Sequence, residues 1–131
     1  EAAWQKSARR MTGTLLCPLS ELAELGTKSF TAGSGPWPLR GFLVRKGRDV
    51  FAYLNRCPHA GHPLNMRPDE FLTAERTHLM CRSHGAVFDI ATGECLAGPC
   101  AGRFLQRLPI RVVDGYVILD GDADELAAQY A

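Results

Sequence analysis

Cys57-Pro58-His59-Ala60-Gly61 and Cys81-Arg82-Ser83-His84-Gly85 decide how this chain is read. They spell C-x-H, then 21 residues, then C-x-x-H, so two thiols and two imidazoles come from two separate loops. A glycine follows each pair, Gly61 behind His59 and Gly85 directly behind His84. Glycine allows the positive φ and close backbone approach that a loop needs to turn its amides toward a bound anion or sulfide. Two cysteines and two histidines make a complete metal shell, and the spacing bears on which metal.

Zinc accepts a Cys2His2 set, but its structural sites usually take like ligands together from one C-x2–4-C knuckle. Here each loop carries one residue of each kind. A two-iron cluster explains the mixture: with both thiolates on one iron and both imidazoles on the other, every loop must reach both irons. The two pentapeptides resemble the signature of Rieske [2Fe–2S] proteins. Val87-Phe88-Asp89-Ile90-Ala91-Thr92-Gly93-Glu94 and Gly98-Pro99 resemble that family's strand, turn and proline loop beside the cluster. The likeness runs over about residues 14–119, and the 21-residue interval is longer than the family's usual one, as a longer hairpin would make it.

The resemblance implies one cluster per chain, with Cys57, His59, Cys81 and His84 as its ligands and no catalytic residues. It also implies that the imidazoles reach the surface as the exit for an electron. Oxygenase members usually carry Arg after the first His and Trp after the second His-Gly, where this chain has Ala60 and Ala86. After Cys81 only His84 remains to build a mononuclear iron site, too little for the two-His, one-carboxylate triad of an oxygenase. The expectation is a stand-alone ferredoxin that takes one electron from a reductase and gives it to an oxygenase or oxidoreductase component. Two alternatives stay open: a small subunit docked to a reductase, as in assimilatory nitrite reductases, and a zinc-stabilised interaction module. High-potential members bridge the loops with an extra disulfide and donate Ser and Tyr hydroxyls to sulfur. Ala60, Gly61, His62 and Ser83 supply no such cysteines, and Ala86 and Phe88 no such hydroxyls, so a low potential is implied.

Composition agrees with one domain. In 131 residues, 46% are apolar and 22% charged, enough to bury a core. A net charge of +1 without a Lys/Arg run gives no reason to expect nucleic acid. Apolar runs are too short for a membrane span. Arg9-Arg10 lacks the apolar stretch that an export signal needs, so a cytoplasmic location is expected. Of the five cysteines, Cys17 reads as a small core residue, and Cys95 and Cys100 as free thiols in a reducing compartment. His62 reads as a solvated loop residue and His78 as a structural strand residue. Arg56 and Arg82, each beside a ligand cysteine, read either as a positive rim for an acidic partner or as ordinary solvated side chains.

The fold expected is all-β, an antiparallel β-sandwich with a cluster-binding subdomain at about residues 56–104 and a short C-terminal helix. The domain spans 12–131, and residues 1–11, without periodicity, lie outside it as a frayed or foreign leader, with Met11 a candidate start. Thr14 to Leu19 and Lys28 to Ala32 read as strands, with a helical turn from Ser20 to Gly26 between them. Trp37 is expected to cover one end of the core. Hairpins follow at 39–45/49–55, 71–73/78–80, 87–90/94–96 and 108–113/116–119, the last about Asp114-Gly115. About nine short strands at this spacing point to a sandwich or barrel. Asp122 and Glu125 have capping-box spacing, and Ala123, Leu126, Ala127 and Tyr130 then recur at helical period.

Overall fold

The computed structural model describes residues 13–58 and 61–130. Nine named strands form three antiparallel sheets of three. The first sheet has the order β1 (Gly13–Pro18), β9 (Tyr116–Asp120), β8 (Ile110–Val113). The second runs β2 (Thr27–Ala32), β3 (Leu39–Lys46), β4 (Asp49–Leu54). The third runs β5 (Leu79–Met80), β6 (Val87–Phe88), β7 (Cys95–Ala97). Asp114 and Gly115 join β8 to β9 with φ of 51° and 79°, the double positive φ of a hairpin turn whose twist suits its strands.

Period-two alternation explains how the sheets are layered. On β3, Leu39 and Leu43 belong to one buried cluster while Phe42 and Val44 belong to the other. On β4, Ala52 and Leu54 face the first of these and Tyr53 the second. The middle sheet is therefore a wall covered on both faces, which is why β3 and β4 carry bulk at successive positions. On one side it packs against Cys17, Leu108, Val117 and Leu119 of the first sheet and its approaches. On the other it meets Phe71, Leu79, Cys81, Phe88 and Cys95 around the third sheet. There Phe42 stacks on Phe71 with centroids 4.1 Å apart and planes 12° from parallel.

The C-terminal helix α1 (Ala123–Gln129) forms as its sequence predicts. Asp122 Oδ1 accepts a hydrogen bond from the Glu125 amide at 3.0 Å, satisfying one of the donors left over at a helix start. Ala123, Leu126, Ala127 and Tyr130 pack against the cluster shared with the first sheet, and the helix lies over β3 and β2.

Four local expectations need correction. The turn after β1 is a 3₁₀ turn, Leu19–Glu21, capped by Pro18 with no side-chain bond, so Ser20 sits inside it rather than at its start. Trp37 is 80% exposed and covers no core; the Ser34–Pro38 segment runs outside the sheet, and Leu39 is the first residue that turns inward. The segment 71–73 is only a bridge, Leu72 opposite Leu79, although Met80 N–H donates to the Phe71 carbonyl and Thr73 N–H to that of His78. His78 sits in the bend just before β5 rather than within a strand. The expectation for residues 1–11 lies outside the described residues.

Candidate metal centre

Strand β4 leads through Asn55 and Arg56 into Cys57, and β5 leads directly into Cys81. The two loops that follow repeat one backbone pattern. Cys57 N–H donates to the His62 carbonyl at 2.7 Å, and Gly61 N–H returns to the Cys57 carbonyl at 2.8 Å. Cys81 N–H donates to the Ala86 carbonyl at 2.9 Å, and Gly85 N–H returns to the Cys81 carbonyl at 2.9 Å. Gly61 and Gly85 hold φ of 73° and 71°, which side-chain-bearing residues rarely adopt. The equal Cys-x3-Gly interval in the two loops is the sequence signal for this equivalence, whatever the different places of the histidines.

Backbone and side-chain ties hold the loops together without a disulfide between them. Arg82 N–H donates to the Leu64 carbonyl at 2.8 Å, linking the second loop to the first. Asn55 closes the base of the first loop: its Oδ1 accepts from Leu64 N–H at 2.8 Å and its Nδ2 donates to Asn65 Oδ1 at 2.9 Å. The proline loop seals the third side. Gly98, at φ 103°, comes so near that a Cβ there would stand 2.8 Å from Ala86 Cα. Arg103 Nη1 donates to the Pro58 carbonyl at 3.2 Å, between Cys57 and His59. Asn55 and Arg103 were not singled out from the sequence; their partners lie 9 and 45 residues away, with no periodic signal to betray them.

Cys57 and Cys81 are 1% and 0% exposed and belong to the same buried cluster, whereas His84 and His62 are exposed. His59 lies outside the described residues. Among the described residues, no three His, Cys, Asp or Glu side chains gather as a mononuclear metal site would require. Soft thiols facing the interior and an imidazole at the surface suit a two-iron cluster whose sulfur-bound iron is buried and whose histidine-bound iron points outward. Ala86 and Phe88 are fully buried, and neither side chain can donate to sulfur.

Of the two readings for Arg56 and Arg82, a rim built from both does not form. Arg82 turns inward: Nη2 pairs with Glu70 Oε1 at 3.1 Å and donates to the Leu72 carbonyl, while its Nε has no partner among the described residues. Arg56 remains exposed and donates to the Tyr130 carbonyl at 2.6 Å, next to the C-terminal carbonyls of α1 that attract a cation. Cys95 and Cys100 share the buried cluster of Cys57, with Sγ atoms 2.9 Å apart. Burial pushes the Cys100 thiol up to about 12, and the Cys95 and Cys57 side chains add to the rise.

The Rieske [2Fe-2S] domain model matches residues 14–116. No curated protein sequence matches the chain. Among solved structures, the ferredoxin of carbazole 1,9a-dioxygenase from Nocardioides aromaticivorans IC177 superposes with a TM-score of 0.65 at 24% identity, over 85% of this chain and 99% of its own. The Sphingomonas yanoikuyae B1 ferredoxin gives 0.61 at 25%, over 83% and 98%. The terminal oxygenase of the Nocardioides carbazole system gives 0.66 at 24%, with 85% of this chain covering 30% of that one. The match sets the zinc alternative aside and implies a Rieske-type [2Fe–2S] cluster. With both Cys-x3-Gly loops inside the matched region and their backbones folded alike, the chain belongs to the Rieske [2Fe-2S] domain family.

Proposed function

We propose that this chain is a Rieske-type ferredoxin, an electron carrier and not itself a catalyst. In this reading Cys57 and Cys81 bind one iron of the cluster, and His59 and His84 bind the other. The observation that carries it is the pair of matching loops with buried thiols and a surface imidazole. When bound, the cluster supplies one-electron chemistry, at a potential raised because neutral imidazoles replace two thiolates. The chain's own residues do the rest. Leu64, Ala86 and Leu105 help to exclude water from the thiol side. Exposed His84 shortens the path to a partner.

Likeness to whole ferredoxin chains supports a place between a reductase and a terminal oxygenase or related oxidoreductase. Another solved relative is titled as a complex of reduced oxygenase and oxidized ferredoxin in carbazole 1,9a-dioxygenase, which gives such docking a structural precedent. No helix among the described residues is long and apolar enough to cross a membrane. Without an apolar stretch behind Arg9-Arg10 to make an export signal, we place the protein in the cytoplasm.

The test is substitution of the imidazoles in protein purified with its iron. His59→Ala and His84→Ala should each abolish the EPR signal of the reduced cluster, while His62→Ala keeps it. Loss with His62→Ala and retention with His59→Ala would overturn the ligand assignment.

A further inference from the structure

Beside the first Cys-x3-Gly loop the fold leaves a groove of about 590 Å³. Leu39 and Leu54, where β3 begins and β4 ends, form its floor, and both are buried in the cluster shared with the first sheet. Gly61 and Pro63 line one side and Tyr130, at the end of α1, another. Trp37 stands at the rim, the large aromatic that covers no core.

Two guanidiniums belong to this lining, Arg40 and Arg56, and no carboxylate does. The Arg40 backbone is fixed, because its carbonyl accepts from Asn55 N–H at 2.9 Å. Its side chain makes no hydrogen bond or ion pair with the described residues. Arg56 Nη2 donates to the Tyr130 carbonyl at 2.6 Å, which anchors the guanidinium at the groove and leaves its remaining donors for another acceptor. The surrounding charges agree. From Arg56 to Pro68 the chain carries two arginines and two histidines and no Asp or Glu. On α1, Asp124 and Glu125 lie in the first turn, at the other end from Tyr130, and Asp124 is held by Ser34 N–H at 2.7 Å.

We propose that this groove is a binding site for a small amphipathic acid, with its carboxylate on Arg40 and Arg56 and a flat apolar body over Leu39 and Leu54. The site goes beyond the electron-carrier reading and does not depend on which residues bind iron. Its volume falls within the range of small-molecule sites, which are mostly apolar with a few polar groups that fix orientation. A planar guanidinium fork matches the two oxygens of a carboxylate. The floor adds affinity by releasing water from surface that cannot hydrogen-bond. An inorganic anion has no apolar surface to bury there, and a neutral hydrocarbon leaves both guanidiniums unanswered.

The experiment titrates the iron-loaded protein with 2-naphthoate, followed in the ligand's NMR spectrum. 2-Naphthamide and acetate serve as probes that lack the charge or the apolar body. Naphthoate should bind with a Kd on the order of 0.1–1 mM, as its few atoms allow. The amide and acetate should each bind about tenfold more weakly or worse. Arg40→Gln should weaken naphthoate by roughly three- to tenfold and leave naphthamide unchanged, with the cluster's EPR signal confirming an intact fold. Arg56→Gln should act alike but also loses the tie to Tyr130, so where the two variants disagree Arg40→Gln decides. No binding of naphthoate in the millimolar range would overturn the proposal. So would equal affinities for naphthoate and either control probe, or naphthoate binding unchanged by Arg40→Gln.

Discussion

Tyr53→Phe removes one oxygen from the tie between β4, which leads into the first Cys-x3-Gly loop, and the segment after β6, beyond the second. Tyr53 lies on β4, four residues before Cys57, and its hydroxyl donates to the Ile90 carbonyl at 2.6 Å, six residues beyond His84. The ring is fully buried, and a Cβ on Gly93 would stand 2.8 Å from its edge. A neutral hydrogen bond is worth about 0.5–1.5 kcal/mol net, and a buried group left without its partner costs about 1–3 kcal/mol. The substitution should therefore destabilise the holoprotein at pH 7 by roughly 1.5–2.5 kcal/mol. From the usual unfolding entropy per residue, that lowers Tm by roughly 5–9 °C.

The same residue sets an alkaline signature. Burial pushes the Tyr53 phenol up to about 12, opposed by Arg107 and assisted by Asp89. Its unfolded value is about 10. A folded value above the unfolded one means that the stabilisation is complete below pH ~10 and is lost as pH rises toward ~12. Tyr53→Phe lacks that group while keeping every other one. The stability gap between wild type and variant should then narrow by about 1 kcal/mol between pH 10 and pH 11. Denaturant unfolding followed by circular dichroism measures both effects. Equal stability at pH 7, or a gap that does not change from pH 10 to pH 11, would refute the reasoning.

Oxidised iron is the more positive state and favours deprotonation of its imidazoles more than reduced iron does, so reduction should take up a proton at alkaline pH. Voltammetry should show the potential falling there, toward ~59 mV per pH unit for one proton per electron; a flat profile would count against His84 as an exposed ligand. The wild-type potential should lie near the low end of the Rieske range, roughly −150 mV. Ala86→Ser and Phe88→Tyr should each raise it by some tens of millivolts, as a gained donor to sulfur would; a wild-type value well above zero would mean that another feature sets it. Asp122→Ala removes the cap of α1 and should cost about 1 kcal/mol, seen as faster amide exchange in residues 123–129 with the cluster signal unchanged.

The sequence by itself determined what depends on neighbours along the chain. Asp114-Gly115 encodes its turn through two positive φ values, and Asp122 with Glu125 starts a helix whose apolar period continues unbroken to Tyr130. The two Cys-x3-Gly loops were legible because each gathers its cysteine, histidine and glycine within five residues, and one backbone pattern closes around each. Bulk at successive positions of β4 is likewise a local pattern, and the strand is covered on both faces. What only the tertiary structure decided are meetings between distant segments. Whether Arg82 faces a partner or Glu70 depends on where the segment before Phe71 lies, and whether Trp37 is covered depends on where Leu39 begins its strand. Cys100 and Cys57, 43 positions apart, share one buried cluster, beside which Gly98 comes against Ala86 and Arg103 grips Pro58. Such contacts leave no period or spacing in a single chain: they come from packing loops against a wall that alternation can predict but whose neighbours it cannot name.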